Sequence, residues 1–379
     1  GQPLDFACVN RLTPSCANQW TPGSGGLRPH CMVTIKDVAR RAGVSTATVS
    51  YVLNGKNRVS VPSVRRVRKA IQDLHYTPSG TARKLKRGRT SVIGFVADNI
   101  SNRFPARLVH GLATAAAAAG YNVLISDLHD NAANEPRALE LLVREEVEGI
   151  VYCGFGAAEE QLLQIHRAGT PVVVVDKPPV TKGLPTVLID NAGSTDLALE
   201  HLFALGHRRL RFISGDPNNR NTHLRDEAFR AFMHRHGLAC PDSYIVTGAY
   251  SLQHGYAAAL QLFDEQPGFT AVFCGDDMIA FGAMAGIKAR GQRIPEDIAV
   301  AGFSNDPLAG AMDPGLTTIH YPMVEMGRRA FEVFLALRSA GKRPVPHEWL
   351  LTRLVVRRSS DPKCPPFAES GLTISEAKS

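Results

Sequence analysis

The sequence lacks an apolar run long enough to cross a membrane, since a spanning helix needs about 20 consecutive apolar residues. Residues 1–31 hold Pro, Gly, Ser and Asn but no apolar stretch of the kind that a secretory signal requires. They also show no helical or strand period, and recognisable patterning begins at Met32. We therefore expect no membrane span and no secretory signal, and we interpret residues 1–31 as a disordered or non-native extension.

Cysteine is scattered and odd in number, which argues against a disulfide framework. The seven cysteines are Cys8, Cys16, Cys31, Cys153, Cys240, Cys274 and Cys364. No CxxC pair occurs, so the spacing of a zinc site is absent as well. This usage is typical of the free thiols of a cytoplasmic protein, and we expect no bound metal.

Nucleotide-binding and catalytic signatures are also missing from the sequence. It has no GxGxxG after its first predicted strand, no GxxxxGKS/T and no GxSxG. His207 falls in a predicted turn with no nucleophile beside it. These absences favour a protein that is not an enzyme and has no cofactor, and an α/β enzyme stays open as an alternative.

Positive charge is present but is concentrated in one stretch. The 379 residues carry a net charge of +8, and Met32–Thr90 alone holds 14 Lys or Arg against 2 Asp or Glu. The remainder, with 29 basic and 33 acidic residues, carries −4. A basic module on a nearly neutral body is the electrostatic pattern of a nucleic-acid-binding protein. A solvated basic face is the alternative.

The centre of this basic stretch predicts two short helices that meet at a glycine. Thr34 and Asp37 have the spacing of a capping box, in which a hydroxyl and a carboxylate bind the first free N–H groups of a helix. Apolar residues then recur at i, i+3, i+4 and i+7 from Ile35, which marks one helical face. Gly43 stands where a left-handed residue would end this helix, and Ser45 is the candidate cap of the next one.

The second helix has a small, polar outer face. Val49, Val52 and Leu53 are its inward apolar residues, and a third predicted helix from Ser60 adds a strongly basic face. The outer residues of the second helix are Ser45, Thr46, Ala47, Ser50, Tyr51 and Asn54. Short side chains let a helix approach base edges in a DNA major groove, so the pair predicts a helix-turn-helix. An ordinary helical hairpin is the alternative.

From Ser91 the pattern changes to apolar strands alternating with amphipathic helices. This predicts parallel sheets covered by helices on both faces, in two similar halves with a boundary near Asp190. Ligands of such folds lie at the carboxyl ends of the strands. The polar segments found there are Asp98–Phe104, Asp176, Gly215–Arg225, Tyr250, Asp276–Asp277 and Ser304–Asp306. Helix capping is the alternative role for any one of them.

These motifs resemble those of the LacI/GalR transcription regulators over Val33 to Arg358. The stretch VTIKDVARRAGVSTATVSYVLNG at Val33–Gly55 is similar to the DNA-binding signature of that family. In the same order as in the family follow HLFALGHRRL at His201–Leu210, CGDDMIAFGAM at Cys274–Met284 and LTTI at Leu316–Ile319.

The resemblance implies a fold class and a set of domains. An N-terminal all-α helix-turn-helix domain would precede an α/β periplasmic-binding-protein-like core of two parallel-sheet subdomains. The implied boundaries are 32–78 for the helix-turn-helix domain, 79–90 for a hinge helix or linker, 91–358 for the effector-binding core and 359–379 for a flexible tail. Within the core, the N-subdomain would take about 91–190 and 321–344, and the C-subdomain about 191–320 and 345–358.

The resemblance also implies a homodimeric transcriptional regulator, in most members a repressor, that acts on the nucleoid in the bacterial cytoplasm. It would bind double-stranded operator DNA of pseudo-palindromic sequence and respond to a small-molecule effector, a sugar or sugar derivative. The DNA-binding positions carried over are Thr34, Ser45, Thr46, Ala47, Ser50, Tyr51, Asn54, Arg58 and Leu85. The effector-facing positions carried over are Arg103, Phe104, Asp176, Arg220, Thr222, Arg225, Tyr250, Asp276 and Ser304. Leu85 of each subunit would be wedged into the minor groove.

Two positions depart from the family pattern. Where the family often has SNPFF after the first core strand, this chain has SNRFP at 101–105, which puts Arg103 in the mouth of the cleft. Ser304 replaces a strand-end Asp. The added cation leaves an acidic or phosphorylated effector open beside a neutral sugar. A solute-binding protein without DNA function is the alternative for the whole chain, and the basic helix-turn-helix goes against it.

Overall fold

The computed structural model describes residues 33–53, 59–76, 89–177, 183–340, 347–365 and 370–373. The chain divides into two units between Arg87 and Gly88. Each unit is built around apolar clusters of its own. In the part of the chain that is described, no helix is long and apolar enough to span a membrane.

Three helices close the small core of the N-terminal unit. They are α1 (Ile35–Ala42), α2 (Thr46–Leu53) and α3 (Val61–Asp73). The buried apolar residues are Val38, Ala39, Ala42, Val49, Val67, Ala70 and Tyr76. As predicted, α1 ends at Gly43, whose φ of +63° is a left-handed conformation that glycine adopts without steric cost. So small a core leaves most of each helix surface exposed.

The second unit begins with a lobe of alternating strands and helices. Its elements are β1 (Val92–Ala97), α4 (Arg103–Ala118), β2 (Asn122–Asp127), α5 (Glu135–Arg144), β3 (Ile150–Cys153), α6 (Glu159–Arg167), β4 (Val172–Val175) and β5 (Thr186–Ile189). The central strands β3 and β4 are buried at every residue, because helices cover both faces of the sheet.

A second lobe of similar design follows. Its elements are α7 (Asn191–Ala204), β6 (Leu210–Ile213), α8 (Arg220–Arg235), β7 (Ile245–Val246), α9 (Leu252–Glu265), β8 (Ala271–Cys274), α10 (Asp277–Ala289), β9 (Ala299–Ser304) and β10 (Thr317–His320). The chain then returns to the first lobe and leaves it again, through α11 (Met323–Ala340), β11 (Glu348–Leu350), β12 (Arg353–Val356) and β13 (Ser370–Thr373). Three crossings therefore connect the lobes, after β5, β10 and β11.

The two sheets confirm the predicted fold class. The first has the order β11-β5-β4-β3-β1-β2 and is parallel throughout. The second has the order β13-β12-β10-β9-β8-β6-β7, with β12 and β13 antiparallel to their neighbours. In each lobe the carboxyl ends of the parallel strands point toward the same edge, which is where the polar strand-end residues meet.

Two of the predicted boundaries are wrong. Since β11 pairs with β5, Glu348–Leu350 belong to the first lobe and not to the C-subdomain predicted to include 345–358. The flexible tail predicted for 359–379 is ordered at its start, where the buried Ser359 donates its hydroxyl to the carbonyl oxygen of Val300 at 2.6 Å. Farther along this tail, β13 extends the second sheet beside β12.

Candidate DNA-reading helix and ligand cleft

The outer face of α2 is exposed, and its inner face is buried at Val49 and half-buried at Val52; Leu53, predicted to face inward, is instead 37% exposed. Ser45 caps the helix, because its Oγ accepts a hydrogen bond from the backbone N–H of Thr48 at 3.1 Å. On the inner face Val49 is fully buried. The predicted reading residues that reach the surface are Ser45, Thr46, Ala47, Ser50 and Tyr51. The helix therefore presents the polar surface that major-groove reading requires, and the individual base contacts stay predictions.

The capping box predicted at the start of α1 is present. The Asp37 carboxylate accepts both the backbone N–H of Thr34 at 3.0 Å and the Thr34 hydroxyl at 2.6 Å. Both hydrogen bonds lower the pKa of Asp37, and the bond from the Thr34 hydroxyl has the larger effect. The Thr34 hydroxyl thus donates its proton within the protein, so a contact to phosphate would have to replace that bond. Its DNA role stays a prediction.

A basic surface lies on α3, as the sequence predicts. Its exposed cations are Arg65, Arg66, Arg68 and Lys69. Exposed cations of this kind can neutralise phosphates at little desolvation cost, which supplies sequence-independent affinity for DNA. The remaining predicted DNA-binding residues, Asn54, Arg58 and Leu85, lie outside the described residues, and their assigned roles stay predictions.

A cavity of about 270 Å³ lies between the two lobes of the second unit, at the carboxyl ends of their strands. We call it the main cavity. The predicted effector-binding residues that line it are Arg103, Phe104, Asp176, Arg225, Tyr250, Asp276 and Ser304. Two predicted residues do not line it. Arg220 borders an adjoining cavity, and Thr222 is buried with its hydroxyl oxygen 2.6 Å from that of Tyr250.

Arg225 is the buried cation of the main cavity. Its Nε donates to Oδ1 of Asn191 at 3.0 Å, and its Nη1 donates to the carbonyl oxygen of Gly275 at 2.6 Å. The guanidinium carbon lies 4.0 Å from the ring centroid of Phe303, in a cation–π contact. These contacts fix the guanidinium plane, and a fixed plane suits oriented hydrogen bonding to a ligand.

Carboxyl groups face Arg225 from both lobes, the buried Asp176 from the first and the half-buried Asp276 from the second. Asp176 accepts hydrogen bonds from the Tyr321 hydroxyl and, at 2.7 Å, from Nδ2 of Asn221. Asp276 caps α10 by accepting the N–H of Ile279 at 3.0 Å. Burial raises the pKa of Asp176, and it raises the pKa of Asp276 to about 6. These groups are therefore strong hydrogen-bond acceptors held in a poorly solvated place.

Asp277 supports the loop that follows β9. Its carboxylate accepts the Thr318 hydroxyl at 2.6 Å and the backbone N–H of Asp306 at 2.6 Å. Burial raises the pKa of Asp277 to about 7. In turn, the buried carboxylate of Asp306 pairs with the guanidinium of Arg103 from the other lobe. The charge of Arg103 is thus balanced within the protein, and this ion pair joins the two lobes.

The backbone is strained where the cleft residues are presented. Asp176 has φ +61°, Ser304 has φ +134° and Asn305 has φ +53°. Non-glycine residues rarely adopt such conformations, which cost about 1–3 kcal/mol each and concentrate at functional sites. The strain therefore marks the strand ends after β4 and β9 independently of the side chains they carry.

Several residues of the main cavity are absent from the predicted set. Lys177 follows Asp176 directly, and Phe303 precedes Ser304 within β9. Tyr321 comes directly after β10, so the strand-end rule would have found it had that strand been assigned. Asn221 lies inside the segment Gly215–Arg225 that the rule did select.

Comparison with known proteins places both units in one family. Residues 34–79 match the lacI family of bacterial regulatory proteins, and residues 199–360 match the periplasmic binding protein-like domain. The chain is 35% identical to the ribose operon repressor of Escherichia coli (strain K12) over 305 residues, which cover 80% of this chain and 92% of the repressor. The chain belongs to the LacI family.

Solved structures agree with this membership. A transcriptional regulator CelR–cellobiose complex is 27% identical, with a TM-score of 0.66 over 88% of this chain and 100% of that one. A lac repressor dimer bound to operator and the anti-inducer ONPF shows the same fold, with 24% identity and a TM-score of 0.76 over 86% of this chain and 99% of that one. As a LacI-family member the chain is a DNA-binding regulator, and a solute-binding protein without DNA function is not favoured.

Proposed function

We propose that this LacI-family protein is a repressor that binds a pseudo-palindromic operator as a homodimer and is controlled by an uncharged, sugar-like effector in the main cavity. It would act on the nucleoid in the cytoplasm, by binding and not by turnover. One observation carries the proposal: the exposed reading face of α2 and a buried polar cleft occur in the same chain, in a family of operator-binding repressors.

The charges of the main cavity favour an uncharged effector over the acidic or phosphorylated one that Arg103 left open. Five carboxyl groups face four cations, and Arg103 is already paired with Asp306. An anionic ligand would bring negative charge beside buried carboxylates, at a cost that grows as the local dielectric falls. Sugar hydroxyls can instead donate to those oxygens, while Phe104 and Tyr321, with ring centroids 5.2 Å apart, offer apolar surface to the sugar ring.

Control would act through the spacing of the lobes. The Arg103–Asp306 pair and the Asn221–Asp176 hydrogen bond join the lobes around the cavity, and the three chain crossings let them move against each other. An effector that binds one lobe arrangement better than the other shifts operator affinity by its differential free energy, typically about 1–3 kcal/mol. The segment 79–90, where a hinge helix is predicted, would pass this change to the DNA; it lies largely outside the described residues.

Genomic footprinting followed by gel-shift titration tests the proposal. The full chain should protect a two-fold symmetric site, and the genes beside that site should point to the effector's pathway. Added to the complex, an uncharged sugar of that pathway should change operator affinity by about 5- to 150-fold. Its phosphate ester should have little effect. Absence of a protected site would refute operator control, and a response to the phosphate ester alone would refute the uncharged effector.

A further inference from the structure

A second cavity of about 160 Å³ opens beside the main one, and we call it the side cavity. The lining residues that the two cavities share are Asp98, Asn102, Lys177, Asn219 and Tyr250. The two spaces therefore adjoin each other at these residues. The main cavity alone, at about 270 Å³, falls short of the roughly 300–1,000 Å³ typical of small-molecule sites, whereas the two together fall within it.

The side cavity has an apolar floor within the first lobe. Leu162, Val174 and Leu184 are buried there, next to the ring of Tyr152. The Tyr152 hydroxyl is already engaged, since it donates to Oε1 of Glu135 at 2.6 Å. The floor therefore offers a ligand carbon surface and a ring face, and little hydrogen bonding.

The rim of the side cavity is polar and mainly acidic. Its charged residues are Asp98, Asp130, Glu159, Asp216, Lys177 and Arg220. With four carboxylates against two cations, the rim disfavours an anion and offers acceptors to hydroxyl groups. An apolar floor below a ring of acceptors matches a sugar ring, whose carbon face is apolar and whose edge carries hydroxyls.

One wall of the side cavity is held in place by a buried carboxylate. Glu135 is fully buried, and its oxygens accept the backbone N–H groups of Gly156 at 3.1 Å and Ala158 at 2.8 Å, besides the Tyr152 hydroxyl. This fixes the loop between β3 and α6. At Gly154 in the same loop, a Cβ atom would lie 2.7 Å from Oε1 of Glu135, so only glycine fits. A wall fixed before binding lowers the entropic cost of binding a ligand.

We infer that the effector is an uncharged glycoside of two rings, with one ring in the main cavity and the second in the side cavity. The inference rests on the proposed function, and it narrows the effector class from sugars in general to disaccharide-sized ones. It also assigns the exposed Arg220 to the second ring, which explains why this residue does not line the main cavity.

Calorimetric titration of the full chain with matched sugars tests the inference. The probes are glucose with cellobiose and maltose, and galactose with lactose and melibiose. At least one disaccharide should bind about tenfold or more tightly than either of its component monosaccharides. The inference is overturned if no disaccharide binds more tightly than its component monosaccharides, or if no sugar of the panel binds at all.

Variants locate the second ring. Leu184→Phe should fill the floor and Arg220→Ala should remove a rim donor; each should weaken the preferred disaccharide at least about fivefold more than its monosaccharide. Arg220 is exposed, so its truncation keeps the test valid if Leu184→Phe does not fold. The matched control Phe104→Leu, in the main cavity alone, should weaken both sugars alike. Equal weakening of both sugars by Leu184→Phe and Arg220→Ala overturns the inference.

Operator binding, measured on the same preparation with and without the sugars, separates the two proposals. If it is absent while a disaccharide preference is present, the regulatory function fails and the two-ring site is supported. If operator binding is present and the preference is absent, the two-ring site fails and the regulatory function is supported.

Discussion

In the N-terminal unit the described residues assigned to DNA lie on the surface, whereas in the core most residues assigned to the effector are buried or half-buried. Tyr51 is 38% exposed, and its helix is held by Val49 on the opposite face. Arg225, by contrast, is 5% exposed and bonds to groups of two different elements. Recognition and stability are thus carried by different residues in the first unit and by the same residues in the core.

This difference has a physical cause. DNA is a large partner that meets a surface, so reading side chains need not contribute to the fold and contact bases only in the complex. A small ligand must be surrounded to be bound, so its contacts come from side chains that are already desolvated and paired. In the N-terminal unit, substitutions of the reading residues should therefore change DNA binding without changing stability. In the core, the same substitution should change both effector binding and stability.

The largest effect is expected at Arg225. Replacing it with Met should destabilise the core by about 3–5 kcal/mol, because the buried carboxyls of Asp176 and Asp276 lose their nearby cation, and should abolish the effector response. Chemical unfolding and effector titration measure the two losses. Arg230→Ala is the control on the same helix, since its ion pair with Asp242 is exposed and worth less than about 1 kcal/mol. If Arg225→Met were as stable as the unsubstituted protein, the proposed coupling between effector binding and folding of the core would be contradicted.

A smaller loss is expected in the core of the N-terminal unit. Val49→Ala removes two buried methyl groups and should cost that unit about 2 kcal/mol of stability. Operator binding should weaken while effector binding by the core does not change, as gel shift and calorimetry would show. Val61→Ala is the control, because Val61 is 65% exposed. Loss of effector binding in Val49→Ala would show that the units are not independent.

Surface truncation at Tyr51 should change recognition without changing stability. Tyr51→Ala should reduce operator discrimination by about 1 kcal/mol, roughly fivefold, while the free energy of unfolding stays within about 0.5 kcal/mol. Competition gel shifts with specific and random DNA measure the first and urea unfolding the second. Tyr51→Phe separates the hydroxyl from the ring. Unaltered discrimination in both variants would remove Tyr51 from the reading face.

The stability of the core should also depend on pH. Burial raises the pKa of Asp277 from 3.8 to about 7. The folded state then binds more protons than the unfolded state, so this group's contribution is full below pH 3.8 and is lost as the pH rises to about 7. Asp277→Asn should therefore flatten the slope of melting temperature against pH in that window.

A matched control has the opposite sign. Arg293 lowers the pKa of the exposed Asp297 to about 2. Its contribution is lost only as the pH falls from 3.8 toward 2, so Asp297→Asn should leave the slope above pH 3.8 as it is. An unaltered slope in Asp277→Asn, or a slope changed equally in both variants, would contradict the assignment.

The helix-turn-helix could be predicted from the sequence because its determinants are local. Caps such as Ser45, the left-handed Gly43 and the apolar face of α1 all lie within a few residues of the elements they define. Strand-end residues such as Asp176 and Asp276 could also be predicted, since the carboxyl ends of parallel strands lie at one edge of a sheet. The strand β5 was not predicted, because Thr186–Ile189 runs directly into the helix cap Asp190, and a short apolar run beside a helix cannot be told from helix by its period.

What the sequence by itself determined is the family, the small polar outer face of α2 and the set of strand ends that meet at the cleft. Only the tertiary structure decided which of those side chains are already paired. Arg103 and Asp306 are 203 residues apart in the chain, and their pairing, like that of Asn221 with Asp176, exists only because two separately wound lobes face each other. The adjoining cavities depend in the same way on packing, since no local sequence pattern determines the distance between two lobes.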